Sequence, residues 1–279
     1  MIVEELLKAS APKSIGFLPV NKPKGICCRK LLHVMKLDAC FVLRKNDLSP
    51  ATVNISYLRH LETFANGLTT FIFGPRERLR KGFESVSTRY RAVIEFGVGR
   101  KGHCIDGQTT GRTTVEHLNG EIIEEAAKKF VGVTEQSSLN WPEISYGQAS
   151  TFERIFQMIE LDDPVEERKT PRKQKYPLAR NKSDVVCQSI KLEGYHKPYA
   201  IINISCDSSF KVRRFTADLA DSLNTTGNLV ELTRMQEGPI CLDDLRVVSI
   251  YHTNYEYYSP RLAGYQHMYR DYTLNPTKS

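Results

Sequence analysis

The sequence predicts a fold that combines short strands with amphipathic helices, on three observations. Residues 68–73 (LTTFIF), 90–96 (YRAVIEF), 184–193 and 198–206 are apolar or alternating runs of strand length bounded by turn residues. Residues 121–131 (EIIEEAAKKFV) and the series Val212, Phe215, Leu219, Leu223 repeat at the helical period. Pro-Lys-Gly at 23–25 and Asn-Gly at 66–67 supply turn chemistry between such runs. With 279 residues and 41% hydrophobic content, the chain is long enough to bury a core in one large or two modest domains.

Charge and cysteine usage narrow the class. Lys and Arg number 39 against 32 Asp and Glu, a net charge of +7, which suits a polyanionic partner and equally an ordinary basic protein. The seven cysteines are odd in number and form no Cys-x-x-Cys, so free thiols in a reducing compartment are expected, with neither a disulfide frame nor a zinc site. No apolar run approaches the ~18 residues of a bilayer crossing, so no membrane insertion is expected. The first residues, MIVEELLKASAPKS, carry two glutamates and no arginine, unlike a typical presequence, and lack a secretory apolar region.

In chain order, residues 17–28 (FLPVNKPKGICC) read as a strand entering the Pro-Lys-Gly turn, followed by a short helix through 30–36. Residues 40–57 are polar and irregular. Next comes RHLETFANGLTTFIFG at 59–74, where Glu62 lies in a loop, Gly67 permits positive φ and an apolar strand follows. Taken alone, Glu62 reads either as a solvated side chain beside a turn or as a carboxylate aimed by a rigid neighbour. A helix is expected over 77–86, then the strand 90–96 and the helix 121–131, which has acids in its first turn and lysines in its last, as the macrodipole favours. Another helix is expected over 151–161. Residues 169–182 carry Lys169, Arg172, Lys173, Lys175, Arg180 and Lys182 without an acid, a solvated excursion or a phosphate-contact patch. A hairpin over 184–206, an amphipathic helix with Arg213 at its N-terminal end, and a strand over 227–238 complete the series; the tail 251–279 is rich in tyrosine.

Several of these blocks resemble the TruB-type pseudouridine synthases. Residues 59–74 are similar to that family's G-T-L-D-P-x-A-T-G-x-L loop, matching at Leu61, Ala65 and Gly67; Glu62 stands at the position of the catalytic Asp, and Arg59-His60 at that of Gly-Thr. Lys22, Pro23, Gly25 and Ile26 match K-P-x-G-x-T-S, with Cys27-Cys28 in place of Thr-Ser. Tyr90 matches the tyrosine of K-x-Y, and Gln136 and Pro142 fit the Q-x-P-P region. Residues 208–245 resemble the motif S-K-G-T-Y-I-R-x-L-A-x-D-L and its continuation over nearly their whole length; Arg213 matches its arginine, Lys211 replaces its tyrosine and Arg234 matches a later arginine. The likeness spans about residues 15–250, with the blocks in the family's order.

That resemblance implies the pseudouridine synthase fold: α+β, a mixed and mainly antiparallel sheet with flanking helices and a central cleft. It implies a domain over 15–250 between an N-terminal extension (1–14) and the tail (251–279), which is too short for the C-terminal RNA-binding module of bacterial and archaeal members, as in divergent animal members, some of them mitochondrial. The implied activity is conversion of uridine to pseudouridine in tRNA, mRNA or rRNA, without cofactor or metal. Glu62 would be the nucleophile, Arg213 its ion-pair partner and Tyr90 the stacking residue. Lys22, His60, Lys211, Arg214, Arg234 and the cations of 169–182 would contact RNA. The alternative is a catalytically impaired relative, with Glu62 displaced by its extra methylene, acting as an RNA-binding protein or ribonucleoprotein subunit. A mitochondrial location is expected, otherwise a cytoplasmic or nuclear one.

Overall fold

The computed structural model describes residues 16–42, 53–73, 87–137, 182–244 and 247–249. Ten of its strands form one mixed sheet, in the order β12-β1-β3-β10-β4-β9-β8-β7, with β2 and β11 as side branches on β3 and β10. The long strands are β1 (Gly16–Lys22), β3 (Asn66–Phe73), β4 (Thr88–Phe96), β8 (Lys182–His196), β9 (Tyr199–Cys206) and β10 (Gly227–Glu237). The short ones are β2 (Ile55–Tyr57), β7 (Gly132–Ser137), β11 (Ile240–Cys241) and β12 (Val248–Ser249). Most pairs are antiparallel; β1 with β12 and β3 with β10 are parallel. A separate hairpin of β5 (Val98–Arg100) and β6 (Thr109–Arg112) follows β4. The expected α+β class, with a mainly antiparallel sheet and flanking helices, is therefore present.

Among the described residues, three α-helices accompany the sheet. The first, α1 (Cys28–Val42), runs well past the expected 30–36 and buries Leu31 and Met35. The second, α2 (Gly120–Lys128), is opened by Asn119, whose side chain accepts from the Ile122 amide at 2.9 Å, and stops short of the expected residue 131. The third, α3 (Val212–Ser222), buries Val212, Phe215 and Leu219 on the predicted face. Phe215 meets Phe130 edge-on at 5.4 Å and packs with Ile94, Ile202 and Leu229 in the main core. The helices expected over 77–86 and 151–161, and the basic residues Lys169 to Arg180, lie outside the described residues.

The short strand β2 arises within the stretch expected to be irregular. Three residues are too few for an alternation to show, and β2 is held by pairing Ile55 and Tyr57 with Phe73 and Phe71. The hairpin of β8 and β9 turns at Lys197-Pro198, later than expected, so β8 gains the residues 194–196.

Gly67 is required by backbone conformation and by a close strand approach at once. Its φ is +104°, and a Cβ there would stand 2.5 Å from the backbone oxygen of Arg234, where β3 meets β10. Gly67→Ala is expected to destabilise the protein by about 2–3 kcal/mol through backbone strain and forced separation of two strands. An unfolding free energy from urea melts within about 0.5 kcal/mol of wild type would contradict this.

Candidate active site

Glu62 sits in the loop between β2 and β3, and that loop is held at nearly every carbonyl. Arg234 Nη2 donates to the His60 oxygen at 2.7 Å, Cys28 Sγ to that of Leu61 at 3.2 Å, and the Ala65 amide to that of Glu62 at 3.1 Å. The Gly25 amide donates to Thr63 at 2.7 Å and Lys22 Nζ to Ala65 at 2.6 Å. The register explains this density. Lys22 lies opposite Gly67 in the β1–β3 pair, so the Pro-Lys-Gly turn that follows β1 folds over the loop that precedes β3.

Arg213 reaches Glu62 from the first turn of α3. Val212 and Phe215 point into the core, which leaves Arg213 turned off the buried face toward the loop. Its Nε donates to Glu62 Oε1 at 3.0 Å and its Nη2 lies 2.7 Å from Oε2, a two-point contact that matches the planar guanidinium. On its far side, Arg213 Nη1 donates to the Gly102 carbonyl at 3.4 Å and lies 4.0 Å from Cys104 Sγ. The pair is partly buried, with side-chain exposures of 16% and 33% for Arg213 and Glu62. Burial raises the Glu62 pKa above its ordinary value, Arg213 and Lys211 pull it down, and Asp106 adds a smaller upward push. The site thus holds a carboxylate whose oxygens are oriented by one cation.

No family model matches the chain. Human pseudouridylate synthase TRUB1 is 23% identical over 236 residues, covering 82% of this chain and 62% of that protein. The tRNA pseudouridine synthase B of Rhodopirellula baltica is 25% identical over 232 residues, covering 82% and 60%. That of Psychrobacter arcticus is 22% identical over 232 residues, covering 83% and 55%. The chain therefore spans less than two thirds of these relatives' length. Among solved structures, a Cbf5-Nop10-Gar1 complex aligns with a TM-score of 0.59 at 12% identity, over 97% of this chain and 60% of that one. An H/ACA RNP bound to a substrate RNA containing 2′-deoxyuridine aligns with a TM-score of 0.57, also at 12% identity, over 96% and 59%. These structural likenesses establish the fold.

This chain is similar in sequence to the TruB-type pseudouridine synthases over about four fifths of its length.

In this TruB-like chain, two cations expected to contact RNA lie inside the protein. Lys22 is fully buried, and its Nζ donates to the carbonyls of Pro23, Ile26 and Ala65 at 3.0, 2.8 and 2.6 Å. Burial lowers its pKa to about 8, opposed by Cys28 and Cys27 and reinforced by Arg234. Arg234 is 1% exposed and donates to the carbonyls of His60 and Leu68, to Glu237 Oε1 at 3.3 Å and to the Tyr90 hydroxyl at 3.4 Å. Burial disfavours its charge, and Tyr90 and Glu237 more than offset that, so its pKa stands above the ordinary arginine value. A fully desolvated cation needs such partners, and with them it braces the loop and is out of reach of a phosphate.

Tyr90 is linked to Glu62 through Arg234, which lies 5.7 Å from its ring centroid and also holds His60, two residues before the carboxylate. Burial raises the Tyr90 pKa. His60 is exposed, its ring 6.2 Å from that of Tyr57. Lys211 is exposed at the start of α3; its amide donates to Gln136 Oε1 at 2.8 Å, which fixes the backbone ahead of Arg213. Arg214 is engaged by Asp218 at 2.5 Å within the helix. Lys182 opens β8, and the remaining cations of 169–182 lie outside the described residues.

Three contributors were absent from the expected site: Cys28, Gln136 and Glu237. Gln136 had a faint signal, since with Pro142 it was one of the few residues there to resemble the family's Q-x-P-P region. Among the described residues no His, Cys, Asp and Glu group could hold a metal, and no helix is long and apolar enough to cross a membrane.

Proposed function

We propose that this protein isomerises uridine to pseudouridine in RNA. The observation that carries the reading is the two-point contact between Glu62 and Arg213, which holds an ionisable carboxylate in a fixed orientation at the loop that resembles the family's signature. In the proposed reaction a uridine leaves its stack and the Glu62 carboxylate displaces the base from its sugar. The base turns and rejoins through carbon, its C5 proton is released as N1 gains one, and the carboxylate is regenerated, so no atoms are gained or lost. Arg213 orients and charges the nucleophile, and Tyr90 offers a flat surface to the unstacked base. The domain would extend over residues 15–250, and the cations of 169–182, His60 and Lys211 would meet phosphates. The substrates would be tRNA, mRNA or rRNA, and a mitochondrial compartment is proposed before a cytoplasmic or nuclear one. The relatives' activity as pseudouridine synthases supports RNA as the partner class, and the fold's likeness to the Cbf5 and H/ACA RNP complexes supports ribonucleoprotein partners as a class.

Chemical mapping of pseudouridine in total RNA, with and without the protein, tests the reading. Sites lost in the knockout are expected to return with wild type and to stay absent with Glu62→Gln. Return with both variants would assign the protein a binding role in place of catalysis. Cell fractionation in the same experiment places the compartment.

A further inference from the structure

Cys28 opens α1 and delivers a fully buried thiol to the residue just before Glu62. Its Sγ donates to the Leu61 carbonyl at 3.2 Å and accepts from the Leu61 amide at 3.3 Å, so one side chain holds both polar atoms of that peptide segment. The neighbouring anchors are harder. His60 and Ala65 are gripped by buried cations and Thr63 by a backbone amide, at 2.7, 2.6 and 2.7 Å. Those contacts leave Glu62 itself tied only through its own carbonyl to Ala65 among the backbone bonds of the turn, and Leu61 is the pivot from which its side chain departs. Burial raises the Cys28 pKa, which keeps the thiol neutral and able to donate and accept at once.

We propose that Cys28 is a positioning residue for Glu62: by clamping Leu61 at both polar atoms it fixes the origin of the carboxylate arm, and with it the two-point contact to Arg213. The catalytic part of this inference rests on the proposed function; the geometric part does not. A loop free to shift by about 1 Å would lose orientation at a cost of about 10²-fold in rate. Cys28→Ala removes both bonds and leaves a small void, whereas Cys28→Ser keeps a group that donates and accepts, at the shorter distances of about 2.7–3.0 Å that oxygen prefers.

The test combines two readouts on the full chain, with Cys187→Ala as the control. Cys187 is an equally buried thiol on β8 whose bonds go to Ser189 and Ser205. First, the Glu62 carboxyl is titrated by carbon-13 NMR. Because Arg213 pulls its pKa down, Cys28→Ala is expected to raise it further, Cys28→Ser to return it toward wild type, and Cys187→Ala to leave it unmoved. Second, pseudouridine formation on a uridine-containing RNA is expected to lose at least about tenfold in kcat in Cys28→Ala, with KM little changed. A Glu62 titration identical in wild type and Cys28→Ala, or equally displaced by Cys187→Ala, would overturn the clamp. If no variant, wild type included, forms pseudouridine, the proposed function fails while the titration still decides the clamp.

Discussion

Arg234→Met is expected to destabilise the protein by about 3–5 kcal/mol, the cost of leaving one partner of a buried ion pair alone. The guanidinium touches Leu68, His60, Tyr90 and Glu237 from a position 1% exposed, and Glu237 is itself fully buried. Methionine fills much of the volume but restores none of the donors. Two backbone carbonyls and a carboxylate then lose a donor where water cannot replace it. Adding Glu237→Gln is expected to recover much of the loss, because the stranded charge is gone and Gln can still accept from the Thr70 amide, now 3.0 Å from Oε2. Equilibrium urea unfolding reads both values. A single-variant loss under about 1 kcal/mol would mean that the network is dispensable.

Arg213→Ala is expected to cost about 2–3 kcal/mol in stability at neutral pH, and clearly less in a Glu62→Gln background. The pH dependence carries a definite sign. Glu62 has a folded pKa above its unfolded value, so the native state favours its protonated form, and that contribution is lost as pH rises through the folded pKa. Removing Arg213 removes the main influence that lowers that pKa, so it climbs further and ionisation costs more. The deficit of Arg213→Ala should therefore be largest at neutral pH and should shrink as pH falls toward the unfolded value near 4.5. Calorimetric melting across that range supplies the check, and a deficit independent of pH would sink the argument.

Much of this was legible in the sequence because strong local signals coincide with tertiary need. Gly67 was marked as a turn residue by Asn-Gly, and the parallel approach of β10 demands the same residue. The Val212, Phe215, Leu219, Leu223 series gave α3 its buried face and so the side from which Arg213 leaves it. The two internal cations were less legible, because a Lys or Arg in a strand usually reads as exposed. A signal did exist. Leu18, Val20 and Lys22 alternate on one face of β1 and all three are buried, as Leu232 and Arg234 are on β10. Cys28 could not be read as a clamp from its type, since its partners are backbone atoms 33 positions away.

Ser137 pairs with Lys182, so residues 138–181 begin and end at neighbouring points of the sheet. That pair lies one residue beyond Gln136, which clasps the Lys211 backbone at the head of the helix that carries Arg213. The chain between them is thereby joined at both ends to strands beside that helix, and the closure entropy of such a connection grows by only about 0.6 kcal/mol per doubling of its length.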